Sequence, residues 1–136
     1  MKKFSHYKQH HQNNTRQVIN WHEHDLGDSL AALPENILAI KEYIEQNFVE
    51  ISSVKEVAEH FFYSREYISR LFRQYFNTSV SNYIKARRIA YSQQLLEQGY
   101  SICEACYQSG FENMSTFIRS FRNISGITPS EYRKSR

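Results

Sequence analysis

Residues 53–73 read SVKEVAEHFFYSREYISRLFR, and residues 101–122 read SICEACYQSGFENMSTFIRSFR. Laid over each other, the two stretches follow one pattern. A serine able to cap a helix (Ser53, Ser101) is followed by an apolar residue, by a glutamate three positions after the serine (Glu56, Glu104) and by a small apolar pair (Val57-Ala58, Ala105-Cys106). A turn and a second amphipathic segment complete each copy. The serines are offset by 48 residues and the second segments by 49. Ser followed three residues on by Glu, ahead of apolar residues, marks a helix start: the hydroxyl accepts from a free amide of the first turn and the carboxylate returns to the amide of the cap.

The spacing therefore predicts helices beginning at Val54 and Ile102, the first burying Val57, Ala58 and Phe61, the second placing Ile102, Ala105 and Cys106 inward. Beyond the first turn, near Phe62 and Tyr63, Ser64 caps a helix in which Ile68, Leu71, Phe72 and Tyr75 recur at i, i+3, i+4 and i+7, the signature of one buried face. Its other face carries Glu66, Ser69, Arg70 and Arg73. In the second copy, after a turn around Gly110, a helix from about Met114 to Ile124 buries Phe117 and Phe121 and aligns Arg119 and Arg122 with Arg70 and Arg73. A short helix, a tight turn and a longer basic helix make a helix-turn-helix, here present twice.

Working outward, Asn77 suits the left-handed end of the first basic helix and Ser79 caps the next, a long helix from Val80 to about Gln98 stopped by Gly99. Its apolar residues Val80, Tyr83, Ile84, Ile89, Leu95 and Leu96 keep to no single stripe, as expected of a rod packed on more than one side. Upstream, Pro34 opens a helix with Ile37, Ile40, Ile44 and Phe48 on one face. Downstream, Gly126 ends the second basic helix, and Thr128-Pro129-Ser130-Glu131 starts a short last helix containing Tyr132. The expected fold is all-α, about seven helices: a first helix-turn-helix over about 53–77, a connector helix over about 79–98 and a second helix-turn-helix over about 101–126, within a domain spanning 34–136. Residues 1–33, rich in His, Gln, Asn and Lys and without apolar period, read as a flexible arm.

Composition agrees. Ten Tyr and nine Phe against four Gly and two Pro, in 136 residues, favour one packed, turn-poor domain or two small subdomains about a shared element. The net charge of +3 conceals a division: residues 1–62 hold six Lys/Arg and nine Asp/Glu, residues 63–136 eleven Lys/Arg and five Asp/Glu. Basicity gathered in one half suits a polyanion, since each cation that neutralises a phosphate releases counterions. No stretch reaches the ~18 apolar residues of a membrane span, and no apolar leader opens the chain. A cytoplasmic location with reduced thiols is the expectation, with Cys103 and Cys106 three apart inside one helix.

On these residues the chain resembles the AraC/XylS family of bacterial transcription regulators, over about residues 35–135. The resemblance rests on Val57-Ala58, Tyr63-Ser64, Tyr67 to Arg73, Tyr83-Ile84 through Arg88-Ile89 to Leu95-Leu96, Gly110-Phe111, Phe117-Ile118-Arg119, Phe121-Arg122, Gly126, Thr128-Pro129 and Tyr132-Arg133. It implies that the third and sixth helices enter successive major grooves of double-stranded DNA. It places Glu66, Ser69 and Arg70, then Met114, Ser115, Ile118 and Arg119, toward the bases, with Tyr67 beside them and Arg73 and Arg122 on phosphates. A connector of about 18 residues is roughly 27 Å long, compatible with recognition helices about one DNA turn, ~34 Å, apart.

Arg70 and Arg119 either pair with guanine O6 and N7, worth ~1–3 kcal/mol of discrimination, or touch phosphate alone. Glu66 either accepts from a cytosine amine or complements the helix dipole. Met114 and Ile118 offer only apolar contact, so the sixth helix is expected to read sequence weakly. RNA polymerase is a candidate second partner; oligomeric state is left open.

The sequence departs from the family at Asn77, where Gly is usual, and at Cys106, where Ala is usual. The 33 residues before Pro34 are too few for the separate sensing domain that members generally carry, so the expectation is either a chain that works alone or a piece of a larger regulator. The Cys103/Cys106 pair reads either as a redox or metal switch or as a small buried hydrophobe beside a surface thiol. His6, His10, His11, His22 and His24 lack metal-ligand spacing, and no nucleophile with its base, paired acid or phosphate loop is present. No enzyme activity, metal or cofactor is expected. The rival reading is a basic helical module that binds acidic protein or nucleic acid without sequence preference.

Overall fold

The computed structural model describes residues 33–135. The histidine-rich stretch and Trp21 lie outside the described residues. Within them, seven helices and no strand form: α1 Glu35–Asn47, α2 Val54–His60, α3 Arg65–Phe76, α4 Val80–Glu97, α5 Ile102–Gln108, α6 Met114–Ser125 and α7 Pro129–Lys134. None is long and apolar enough to cross a membrane.

The caps explain the boundaries. The side chains of Ser53, Ser64, Ser101, Asn113 and Thr128 each accept a backbone N–H three residues on, filling one of the donors that a helix N-terminus leaves open. Reciprocal boxes close at Ser101/Glu104 and Thr128/Glu131. At α2 the expected box is displaced. Glu56 returns not to Ser53 but to Ser52, whose N–H and hydroxyl donate to it at 3.0 and 2.7 Å. The serine pair gives the carboxylate two donors where Ser53 offered one. Pro34 stands one residue earlier than expected, as the residue before α1, with ψ at 149°.

The described residues fall into two compact units, 33–84 and 85–135; α4 contributes residues 80–84 to the first and 85–97 to the second. In the first unit Ile37, Ile40 and Ile44 of α1 and Phe48 just after it are wholly buried, as are Val57, Ile68 and Phe72. The Phe72 ring lies 4.8 Å from Phe76 and meets Tyr83 edge-on at 5.4 Å. Phe76, rather than the half-buried Tyr75, completes the buried face of α3, and Phe61 is likewise only half-buried. This core also takes in Glu45, 5% exposed, which accepts from the Tyr83 hydroxyl and lies 4.0 Å from Lys41 Nζ. A buried carboxylate is tolerated only with such partners.

The second unit is built around Phe117, 5.2 Å from Phe111 and edge-on to Phe121 at 5.7 Å, with Tyr132 of α7 edge-on to Phe121 at 5.6 Å. Each wholly buried phenyl contributes ~1.5–3 kcal/mol by leaving water. In α4 the consecutive residues Gln93, Gln94, Leu95 and Leu96 are all buried. Successive side chains point ~100° apart, so this helix is covered on every side, as its lack of a stripe anticipates.

Candidate nucleic-acid interface

The repeat legible in the sequence is also a repeat of backbone geometry. At the end of α2, Tyr63 N–H donates to Ala58 O and Phe62 N–H to Glu59 O; at the end of α5, Phe111 N–H donates to Cys106 O and Gly110 N–H to Tyr107 O. Both turns thus close by the same paired bonds around one left-handed residue, Phe62 at φ 61° and Gly110 at φ 108°. From there the second turn carries one extra residue, Glu112, before its cap Asn113, whereas Tyr63 runs straight into Ser64. That insertion is why the offset steps from 48 to 49. Glu112 lies in the field of the half-buried Arg88 of α4; burial pulls the Arg88 pKa down and the Glu112 charge opposes that shift.

The recognition-helix candidates start and stop alike. Tyr67 N–H donates to Ser64 Oγ at 3.1 Å and Thr116 N–H to Asn113 Oδ1 at 2.8 Å. At the other end Asn77 (φ 56°) and Gly126 (φ 86°) take the left-handed conformation and donate to the carbonyls of Arg73 and Arg122. Asn in place of Gly therefore keeps the same backbone. Between these stops α3 buries Ile68, Leu71, Phe72 and Phe76 on one face and α6 buries Phe117, Ser120 and Phe121, and each lifts an arginine pair off the other face.

Glu66, Ser69, Arg70 and Arg73 are exposed on α3. Ser115, Ile118, Arg119 and Arg122 are exposed on α6, where they line an open groove of about 570 Å³ together with Asn123 and Thr128. Asn123 is not legible in the sequence, because an exposed Asn in the last turn of a helix has no spacing signature, and Thr128 reads there only as a cap. Met114, half-buried, does not line this groove. Tyr67 is also half-buried. Its hydroxyl accepts from Asn36 Nδ2 at 3.0 Å, its ring lies 4.8 Å from that of Tyr63, and the Arg70 guanidinium carbon sits 5.4 Å from its centroid.

The thiols divide as the simpler reading expects. Cys103 is exposed; Cys106 has no accessible surface, and burial, with a smaller contribution from Cys103, pushes its pKa up to about 11. A thiol so protonated is a poor nucleophile and a poor metal ligand. Among the described residues no group of three or more His, Cys, Asp or Glu converges as a metal site.

A family described as a helix-turn-helix domain matches residues 57–135. The chain is 31% identical over 98 residues to the multiple antibiotic resistance protein MarA of Escherichia coli K12, covering 71% of this chain and 77% of that protein. It is 31% identical over 110 residues to the Msm operon regulatory protein of Streptococcus mutans, covering 80% of this chain but 40% of that regulator's length. A transcriptional regulator of Chromobacterium violaceum with an AraC-type DNA-binding domain superposes with a TM-score of 0.64 at 33% identity, over 71% of this chain and 87% of that one. The match extends over more than half of the 136 residues and carries the doubled turn, the capped basic helices and the closing aromatic core: the chain belongs to the AraC-type helix-turn-helix family of transcription regulators.

Proposed function

We propose that the chain binds double-stranded DNA sequence-specifically, with α3 and α6 in successive major grooves, and regulates transcription from the sites it occupies. The observation that carries this reading is the duplication: two helices, each closed by a side-chain cap at its start and a left-handed residue at its end and anchored by buried phenylalanines, each presenting an exposed arginine pair, Arg70/Arg73 and Arg119/Arg122. An α-helix fits the major groove, and its outward side chains reach base edges there while flanking cations hold phosphates. Arg70 and Arg119 are assigned to guanine, with Ser69, Glu66, Ser115, Ile118 and Met114 at neighbouring bases. Arg73 and Arg122 are assigned to the backbone, as is Asn123. Contact with RNA polymerase belongs to the same proposal.

Selection of the chain on random duplexes, followed by affinity measurements across a salt series, tests it. The expected result is a bipartite motif with half-sites about 10 base pairs apart. Arg70→Ala abolishes preference in one half, and Arg119→Ala weakens it in the other. A pool without a motif, bound with the same salt slope as a scrambled duplex, refutes specific binding and leaves the non-specific basic module. Run-off transcription from the selected site reads the polymerase step.

A further inference from the structure

We propose that Tyr67 is a positioning residue that holds Arg70 for base reading, with Asn36 of α1 as its anchor, and that the second unit has no equivalent device. This rests on the assignment of Arg70 to a base. Three observations bear on it. The Tyr67 ring is half-buried, so only part of it is available to a ligand. Its hydroxyl accepts from Asn36 Nδ2 at 3.0 Å, across 31 residues of sequence, which ties the ring to α1. And the Arg70 guanidinium carbon stands 5.4 Å from its ring centroid, within range of a cation–π attraction.

An exposed arginine otherwise gives up rotamer freedom when it engages a base. A guanidinium already held over a fixed ring has lost part of that freedom before the DNA arrives, and the ring cannot swing away while Tyr63 lies against it at 4.8 Å and Asn36 holds its hydroxyl. In the repeat, position 67 corresponds to Thr116 and Arg70 to Arg119. Threonine has no ring to offer. Unequal reading by the two helices then follows from the residue three before each arginine, in addition to the apolar character of Met114 and Ile118.

Two measurements on the full chain separate this proposal from the reading beneath it. The first needs no DNA: side-chain NMR of the Arg70 and Arg119 Nε–H groups. Arg70 is expected to show a ring-current shift and restricted motion, both lost in Tyr67→Leu and the restriction reduced in Asn36→Ala, while Arg119 behaves as a free side chain throughout. An Arg70 signal as mobile as that of Arg119 in the unmodified chain overturns the proposal. The second is discrimination between the selected duplex and one altered at the Arg70 base. Tyr67→Leu is expected to lower it by roughly two- to fivefold, the size of an exposed cation–π contact, and to have no effect when Arg70→Ala is already present; Tyr67→Phe, which keeps the ring, retains most of it. Equal loss from Tyr67→Leu with and without Arg70 overturns the proposal, because Tyr67 then acts independently of Arg70. If Arg70→Ala leaves discrimination unchanged, Arg70 reads no base and the proposal falls with that assignment, whatever the NMR gives.

Discussion

Replacing Phe62 by glycine should make the chain more stable. Phe62 has φ 61° and is 95% exposed, so its ring buries almost nothing while its backbone occupies the left-handed region. That region costs an ordinary L-residue roughly 1–2 kcal/mol, by contact of Cβ with the following carbonyl. Glycine removes the contact but adds freedom to the unfolded chain, a loss of roughly 0.4–1 kcal/mol. The net expectation is a gain of about 0.5–1 kcal/mol, or some 2–8 °C in Tm for a domain of this size. The chain contains its own control, since Gly110 occupies the corresponding place in the second turn at φ 108°. Urea unfolding of the unmodified chain, Phe62→Gly and Phe62→Ala measures the effect. Alanine keeps Cβ and removes the ring, so it should leave stability within a few tenths of a kcal/mol. Phe62→Gly no more stable than Phe62→Ala would refute the strain argument; both variants weakened alike would show that the ring is engaged in folding after all.

Other outcomes follow from the same geometry. Gly126→Val should cost more than ~1 kcal/mol and Gly126→Asn little, because space around this residue is open and only its φ of 86° resists a side chain; thermal unfolding distinguishes them. Phe121→Ala, which empties a wholly buried site between Phe117 and Tyr132, should cost ~3–5 kcal/mol. Glu56 is held below its ordinary value of 4.5 by the hydroxyl and then the amide of Ser52, so its native pKa is the lower one. Its contribution is therefore present above the unfolded pKa and is lost as pH falls through the native one. As pH falls below about 5, stability should fall less steeply in Glu56→Gln. At neutral pH a thiol reagent should modify Cys103 alone in the folded chain and both cysteines in urea; rapid double labelling of the native protein would contradict the burial of Cys106.

Much of this molecule is written locally. The seven helices, their serine, threonine, asparagine and glycine boundaries, and the two copies of the turn follow from hydrogen-bonding groups and apolar spacings within a few residues of one another, and these act before any tertiary contact exists. For the same reason the exposed sides of α3 and α6 follow from period alone: once Ile68, Phe72, Phe117 and Phe121 are inward, Arg70, Arg73, Arg119 and Arg122 stand on the exposed face. What the sequence left open depends on partners distant along the chain. The placement of Glu45 in the core rests on Tyr83, 38 residues away, and the tying of Tyr67 rests on Asn36, 31 residues away. A carboxylate or a hydroxyl looks the same in sequence whether it ends in water or against such a partner. The displaced return of Glu56 to Ser52 shows the limit even at short range, since two adjacent serines satisfy one motif and only the path of the folded backbone chooses between them.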